Sequence, residues 1–98
     1  TKICGGGAKS PLWKKMIANI LNIKVDVIES EEGPALGGAM LAAVANGEFA
    51  SVEEAAEKIV KVIDTVEPEP ELAAKYEERY QKFVKIYPTV KELFNEII

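Results

Sequence analysis

The stretch that decides the fold is Thr1-Lys2-Ile3-Cys4-Gly5-Gly6-Gly7-Ala8-Lys9-Ser10-Pro11-Leu12-Trp13. Thr1 to Cys4 reads as the end of a strand. Gly5-Gly6-Gly7-Ala8 follows as a tight loop, because glycine tolerates positive φ and lets another group approach the bare backbone. Ser10-Pro11 then supplies the N-cap and first residue of a helix. Leu12, Met16 and Ile20, with Trp13, Ile17 and Leu21, recur at helical spacing up to a stop at Asn22. Strand, glycine loop and helix start in succession make a place where an anion can sit. Helix N-termini offer unpaired N–H groups and partial positive charge, and glycine removes the Cβ that would block contact.

Downstream, Lys24-Val25-Asp26-Val27-Ile28 has the β-branched character of a short strand, and Glu29-Ser30-Glu31-Glu32-Gly33 is a polar connection. Gly33 to Ala45 carries no charge over 13 residues and is rich in Gly and Ala, which predicts a core helix. Its two internal glycines, Gly37 and Gly38, cost helix stability, so close packing is expected to offset them. Asn46-Gly47 ends it. Ser51-Val52-Glu53-Glu54 is a capping box opening a helix with Val52, Ala55, Ala56, Ile59, Val60 and Ile63 on one face. Glu67-Pro68-Glu69-Pro70 breaks the chain. Leu72, Tyr76, Tyr80, Phe83 and Tyr87 then form a packing stripe, and Pro88 separates it from a last amphipathic helix with Val90, Leu93, Phe94 and Ile97. The expected class is α/β, with short strands followed by several helices: residues 1–49 bear the site, and residues 50–98 form a helical layer.

Composition narrows the chemistry. Of 98 residues, 48% are hydrophobic and 29% charged, as in ordinary globular domains. The net charge of −4 leaves no basic footprint for nucleic acid. No histidine is present, which removes Ser-His-Asp, Cys-His and His-ligated metal chemistry from this chain. The single cysteine, Cys4, forms no intrachain disulfide and is expected to be a small buried side chain. Trp13 is expected in the core. Glu29, Glu31 and Glu32 are expected on a solvated loop rather than around a metal, and Lys9 is either a solvated lysine or a phosphate partner. There is neither a leader of the basic-then-apolar kind nor an apolar run long enough for a bilayer, so a cytoplasmic protein without membrane contact is expected. The chain opens on Thr1 and enters the glycine run almost at once, and is read as the continuation of a longer polypeptide.

Two phosphate-binding motifs can be tested on the loop. A Walker A loop needs G-x-x-x-x-G-K-[ST]; Lys9-Ser10 is present, but Ile3 and Ala8 stand at the glycine positions. A dinucleotide fingerprint needs G-x-G-x-x-G/A. Here Gly5 to Ser10 gives G-x-G-x-x-S, with Glu29 near the ribose-binding position. A dinucleotide-binding module therefore stays open as an alternative, as does a helical interaction domain in which the glycines are structural.

Cys4 to Leu21 (C-G-G-G-A-K-S-P-L-W-K-K-M-I-A-N-I-L) and Glu32 to Ala43 (E-G-P-A-L-G-G-A-M-L-A-A) resemble the C-terminal end of FGGY-family carbohydrate kinases. The G-G-G-A-K-S…W form, with the Tyr76-Glu77-Glu78-Arg79-Tyr80…Tyr87-Pro88 tail, is most similar to the members that phosphorylate xylulose. The resemblance implies a portion of a C-terminal actin-like ATPase (ribonuclease H-like) domain. It implies an enzyme that moves the γ-phosphoryl group of ATP, with Mg2+, to a pentulose hydroxyl. By resemblance, Gly6 and Gly7 lie along the phosphates and ribose, and Ala8, Ser10 and Pro11 line the adenine side. Pro11 departs from members with asparagine there, so no side-chain hydrogen bond to adenine is carried over. The family's catalytic base and metal carboxylates belong to an N-terminal domain absent from this chain. Neither Asp26, on a strand, nor Asp64, at the end of a helix, matches the base motif, so these 98 residues alone are expected to be inactive. A cut strand edge also allows a homo-oligomer.

Overall fold

A computed structural model describes residues 1–98. The elements run β1 (Lys2–Ile3), α1 (Pro11–Leu21), β2 (Val25–Ile28), α2 (Gly33–Ala45), α3 (Val52–Ile59), β3 (Val62–Val66), α4 (Pro70–Phe83) and α5 (Ile86–Ile97). A single 3₁₀ turn, Gly6–Lys9, joins β1 to α1. The three strands form one sheet in the order β1-β2-β3. β1 pairs parallel to β2, Lys2 opposite Asp26 and Ile3 opposite Val27. β3 runs antiparallel on the other side of β2, with Val25 opposite Val66 and Val27 opposite Asp64. α1 packs on β2, β3 and α4, while α2 packs on α3.

Local chemistry explains most boundaries. Ser10 caps α1, its Oγ accepting the Trp13 N–H at 3.3 Å, with Pro11 as the first helical residue. Asn22 ends α1 in the left-handed region at φ 53°, a conformation its short polar side chain tolerates. Ser51 Oγ accepts the Glu54 N–H at 3.1 Å. The return arm of this capping box reaches one residue further back, where Glu54 Oε2 accepts the Ala50 N–H at 2.9 Å.

Four expectations are corrected. The helix opened by Ser51 stops at Ile59, and Val62–Val66 is a strand, so residues 50–98 are not purely helical. Val60, Val62, Ile63, Thr65 and Val66 are β-branched, and β2 offers them a free edge to pair with. Asp64 accordingly sits within β3, not at a helix end. Tyr87 belongs to α5 rather than to the stripe on α4, because the chain turns at Val84-Lys85 and Pro88 falls in the first turn of α5, where its missing N–H has no helical acceptor to lose. The 33–45 helix is not a core helix: none of its residues is buried, and a Cβ at Gly37 or Gly38 would meet nothing within 4 Å. Only Gly33 is tightly placed, since a Cβ there would lie 2.5 Å from Cys4 Sγ.

The core is small. Ala8, Ala18, Asn19, Val25, Val27, Ala55 and Ala73 are the buried residues, spread over the 3₁₀ turn, α1, β2, α3 and α4. Asn19 earns its place by accepting the Glu69 N–H at 2.7 Å, which ties α1 to the start of α4. Trp13, Tyr80, Phe83 and Tyr87, expected to pack, are exposed, Trp13 to 57%. They lie on helix faces with no element of this chain opposite them. The radius of gyration is 18.7 Å, against about 13 Å for a compact chain of this length, so the helices spread outward.

Candidate functional site

β1 and β2 are parallel, so the loops that follow them emerge at the same end of the sheet. β3 begins at that end because it runs the other way; the Glu29 N–H donates to the Lys61 carbonyl at 2.8 Å, closing the corner. A cleft of about 300 Å³ opens there. Its walls come from the β1–α1 turn (Gly5, Ala8, Lys9), the end of β2 and its loop (Val27, Ile28, Glu29, Glu31), Lys14 of α1, and Ile63 and Asp64 of β3. In open α/β sheets, the region outside the carboxyl ends of parallel strands is where ligands bind.

Two backbone irregularities shape it. Gly5 has φ 93° and ψ −175°, a region open essentially to glycine alone, and this turns the chain off β1 into the 3₁₀ turn. In the β2–β3 pair the register slips between Val27 and Ile28 of β2, so that Ile28 faces Val62 and Ile63 of β3 is passed over. Neighbours in a regular strand point to opposite sides. The slip lets Ile63 and Asp64, adjacent in sequence, both contribute to one cleft.

The residues expected to contact a ligand divide into two groups. Ala8 is buried and lines the cleft. Gly6 and Gly7 do not line it; they sit on the same 3₁₀ turn, between Gly5 and Ala8 which do, exposed and with nothing within 4 Å of where a Cβ would be. The turn is thus open on its outer side rather than packed beneath its own neighbours. Ser10 and Pro11 do not line the cleft: the Ser10 hydroxyl caps α1, and Pro11 is exposed at the start of the helix. Cys4, expected to be buried, is exposed, although its Sγ lies close to Gly33 at the start of α2.

The cleft also gathers charged side chains, among them Lys14, to which the sequence alone assigns no role. Lys14 Nζ lies 2.8 Å from Asp64 Oδ2, with the Lys14 side chain only 15% exposed. The Lys14 hydrogen bond, the Thr65 N–H and the Lys14 charge hold the Asp64 carboxyl below the usual aspartate range. Asp64, expected at the end of a helix, lies within β3, and the β-branched run over 60–66 is the signal that places it there. Lys9 Nζ lies 2.6 Å from Glu31 Oε1 and bridges the two loops. The cleft thus holds two lysines and three carboxylates, with an apolar floor of Ala8, Val27, Ile28 and Ile63. No three acidic or thiol side chains gather into a metal-ligating group. No helix is long and apolar enough to cross a membrane.

Residues 2–46, which build this end of the sheet, match the C-terminal domain of the FGGY family of carbohydrate kinases. The chain is 40% identical over 89 residues to the xylulose kinase of Bacillus subtilis, covering 91% of the chain and 18% of that protein. The chain belongs to the FGGY family. It is also 41% identical over 90 residues to the ribulokinase of Halalkalibacterium halodurans, covering 86% of the chain and 16% of that protein. The solved structure of a ligand-bound xylulose kinase from Lactobacillus acidophilus shares the fold, with a TM-score of 0.83 at 21% identity. The match covers 99% of the chain and 20% of that protein. The chain thus spans a fifth or less of the length of these FGGY relatives. The likeness reaches beyond residue 46 into the helices of the second half, since these three matches cover at least 86% of the chain.

Proposed function

We propose that this chain is the nucleotide-facing part of an ATP-dependent pentulose kinase of the cytoplasm, with D-xylulose the favoured acceptor and an actin-like ATPase fold in the complete protein. The observation that carries the proposal is the Gly5–Lys9 turn, which presents bare, unobstructed backbone beside a cleft at the carboxyl ends of two parallel strands. Gly6 and Gly7 let phosphate oxygens approach the main chain, with the N-terminus of α1 adding favourable partial charge. Ala8 and the apolar floor suit the flat face of a purine. Ser10 and Pro11 act one step back: they start α1 where they do and so fix the direction of the turn. Phosphoryl transfer is mainly positioning and charge stabilisation. This segment supplies positioning on the nucleotide side, while the groups that hold Mg2+ and activate the sugar hydroxyl come from residues outside it.

A dinucleotide site is disfavoured by β3. A βαβαβ half requires its third strand parallel, and this one is antiparallel. Calorimetric titration of the complete protein with ATP, ADP and NAD separates the two readings. ATP and ADP should bind and NAD should not; NAD binding with no ATP or ADP binding overturns the proposal. A coupled assay of that protein should show ATP-dependent phosphorylation of xylulose in preference to ribulose. The 98 residues alone should show none, and turnover by them above a denatured control removes the claim that the acceptor machinery lies elsewhere.

A further inference from the structure

The two lysines of the cleft are held in different ways. Lys14 is largely covered, and its partner Asp64 is itself fixed, Oδ1 accepting the Thr65 N–H at 2.9 Å. Displacing Asp64 would break two hydrogen bonds and leave a shielded ammonium without its partner. Lys9 and Glu31 are open to water, their side chains 61% and 66% exposed, although Nζ and Oε1 lie only 2.6 Å apart. An exposed pair of this kind gains little from its Coulomb attraction and exchanges readily. Its position matters more than its strength. Lys9 ends the turn that carries Gly6 and Gly7, Glu31 comes from the loop after β2, and both line the cleft. A phosphate lying along the glycine backbone meets the Lys9 ammonium and, beside it, the Glu31 carboxylate.

We propose that Lys9 is the phosphate-contacting cation of this cleft and that Glu31 competes with the phosphate for it. The pair then acts as a displaceable strap: a charged nucleotide must take Lys9 from Glu31, whereas an uncharged nucleoside need not. This deepens the nucleotide reading above and rests on it. Its consequence is selective. Glu31 lowers affinity for ADP without touching affinity for adenosine, because only the phosphate competes with it. Lys14 takes no part, being retained by Asp64.

The test is calorimetry on the complete protein, without added divalent cation, using ADP and adenosine as probes. Glu31→Gln should tighten ADP binding about threefold, the scale of one exposed ion pair, and leave adenosine unchanged. Lys9→Gln should weaken ADP several-fold and leave adenosine unchanged. In the double variant, Glu31→Gln should no longer have an effect. Unchanged or weaker ADP binding by Glu31→Gln overturns the proposal, as does an equal gain for adenosine or a gain that persists without Lys9. If neither wild type nor Glu31→Gln binds either probe, the nucleotide reading itself falls and takes this proposal with it.

Discussion

The surroundings of β2 and the outer faces of the helices are built from similar apolar residues and treat them in opposite ways. Val25 and Val27 are buried between strand partners and α1, with β2 hydrogen-bonded on both sides. Leu41 on α2, Phe83 on α4 and Ile97 on α5 are at least 60% exposed. The first region has a strand paired on both edges and two valines covered by other elements of the chain. The second has regular helices whose apolar faces no element of the chain covers. Helical periodicity says that a face is apolar, but not what covers it. A central strand carries its partners with it, because its backbone groups must be paired.

The widest contrast comes from truncating one large side chain in each region. Val25→Ala removes buried methyl groups from a fully enclosed site and should cost about 2–3 kcal/mol. Phe83→Ala, at a site 66% exposed, should change stability by at most about 0.5 kcal/mol. Urea unfolding of the 98-residue chain measures both. Similar costs at the two positions would mean that the helix faces are covered in solution, by self-association for instance, and repeating the melt at several protein concentrations would expose that.

A second comparison lies within α2. Its two internal glycines suggest close packing, yet the space beside them is open. Gly38→Ala in this chain should therefore stabilise by about 1 kcal/mol, the ordinary helix-propensity gain. Gly33→Ala should gain less, because its Cβ would have to push the exposed Cys4 Sγ aside. Equal gains at both positions would remove the contact between the end of β1 and the start of α2.

How much of this was legible follows the same line. The Gly5–Ala8 turn, the Ser10 and Ser51 caps, the stop at Asn22 and the strand at Val25–Ile28 depend on short-range backbone chemistry, and the sequence states each of them. The break at Ile59 did not show, because Val60 and Ile63 satisfy helical spacing and strand propensity alike. Only the free edge of β2 decides between them. Asp64 was misplaced for that reason, and the partner of Lys14 was lost with it. Trp13 and the tyrosines recur at helical spacing, which predicts a packing face; that inference needs the covering element, which no pattern within the helix specifies. Of the expected ligand residues, Ala8 lines the cleft, and Gly6 and Gly7 lie on the same turn outside the lining. Ser10 and Pro11 instead begin α1, a distinction that spacing along the chain does not make.

The smallest expected effect concerns the shorter of the two ion pairs that join the halves of the sequence, Lys14 from α1 and Asp64 from β3. The Lys14 hydrogen bond comes first, followed by the Thr65 N–H and the Lys14 charge, in holding the Asp64 carboxyl below its ordinary value. A carboxyl depressed on folding binds fewer protons in the folded than in the unfolded chain. Its contribution is therefore full above the ordinary aspartate value and is lost as pH falls through the lower folded one. Asp64 is exposed, so solvent screens the pair and the contribution is small. Thermal melts from neutral pH down to about pH 2 should show wild type losing its margin over Asp64→Asn only at the acid end. Glu54, depressed by Lys58 and the Ala50 N–H at the start of α3, titrates in the same direction and serves as the control through Glu54→Gln. If wild type and Asp64→Asn run parallel throughout while Glu54→Gln departs, the acid sensitivity belongs to the α3 cap, and the Lys14–Asp64 pair shapes the cleft without stabilising the fold.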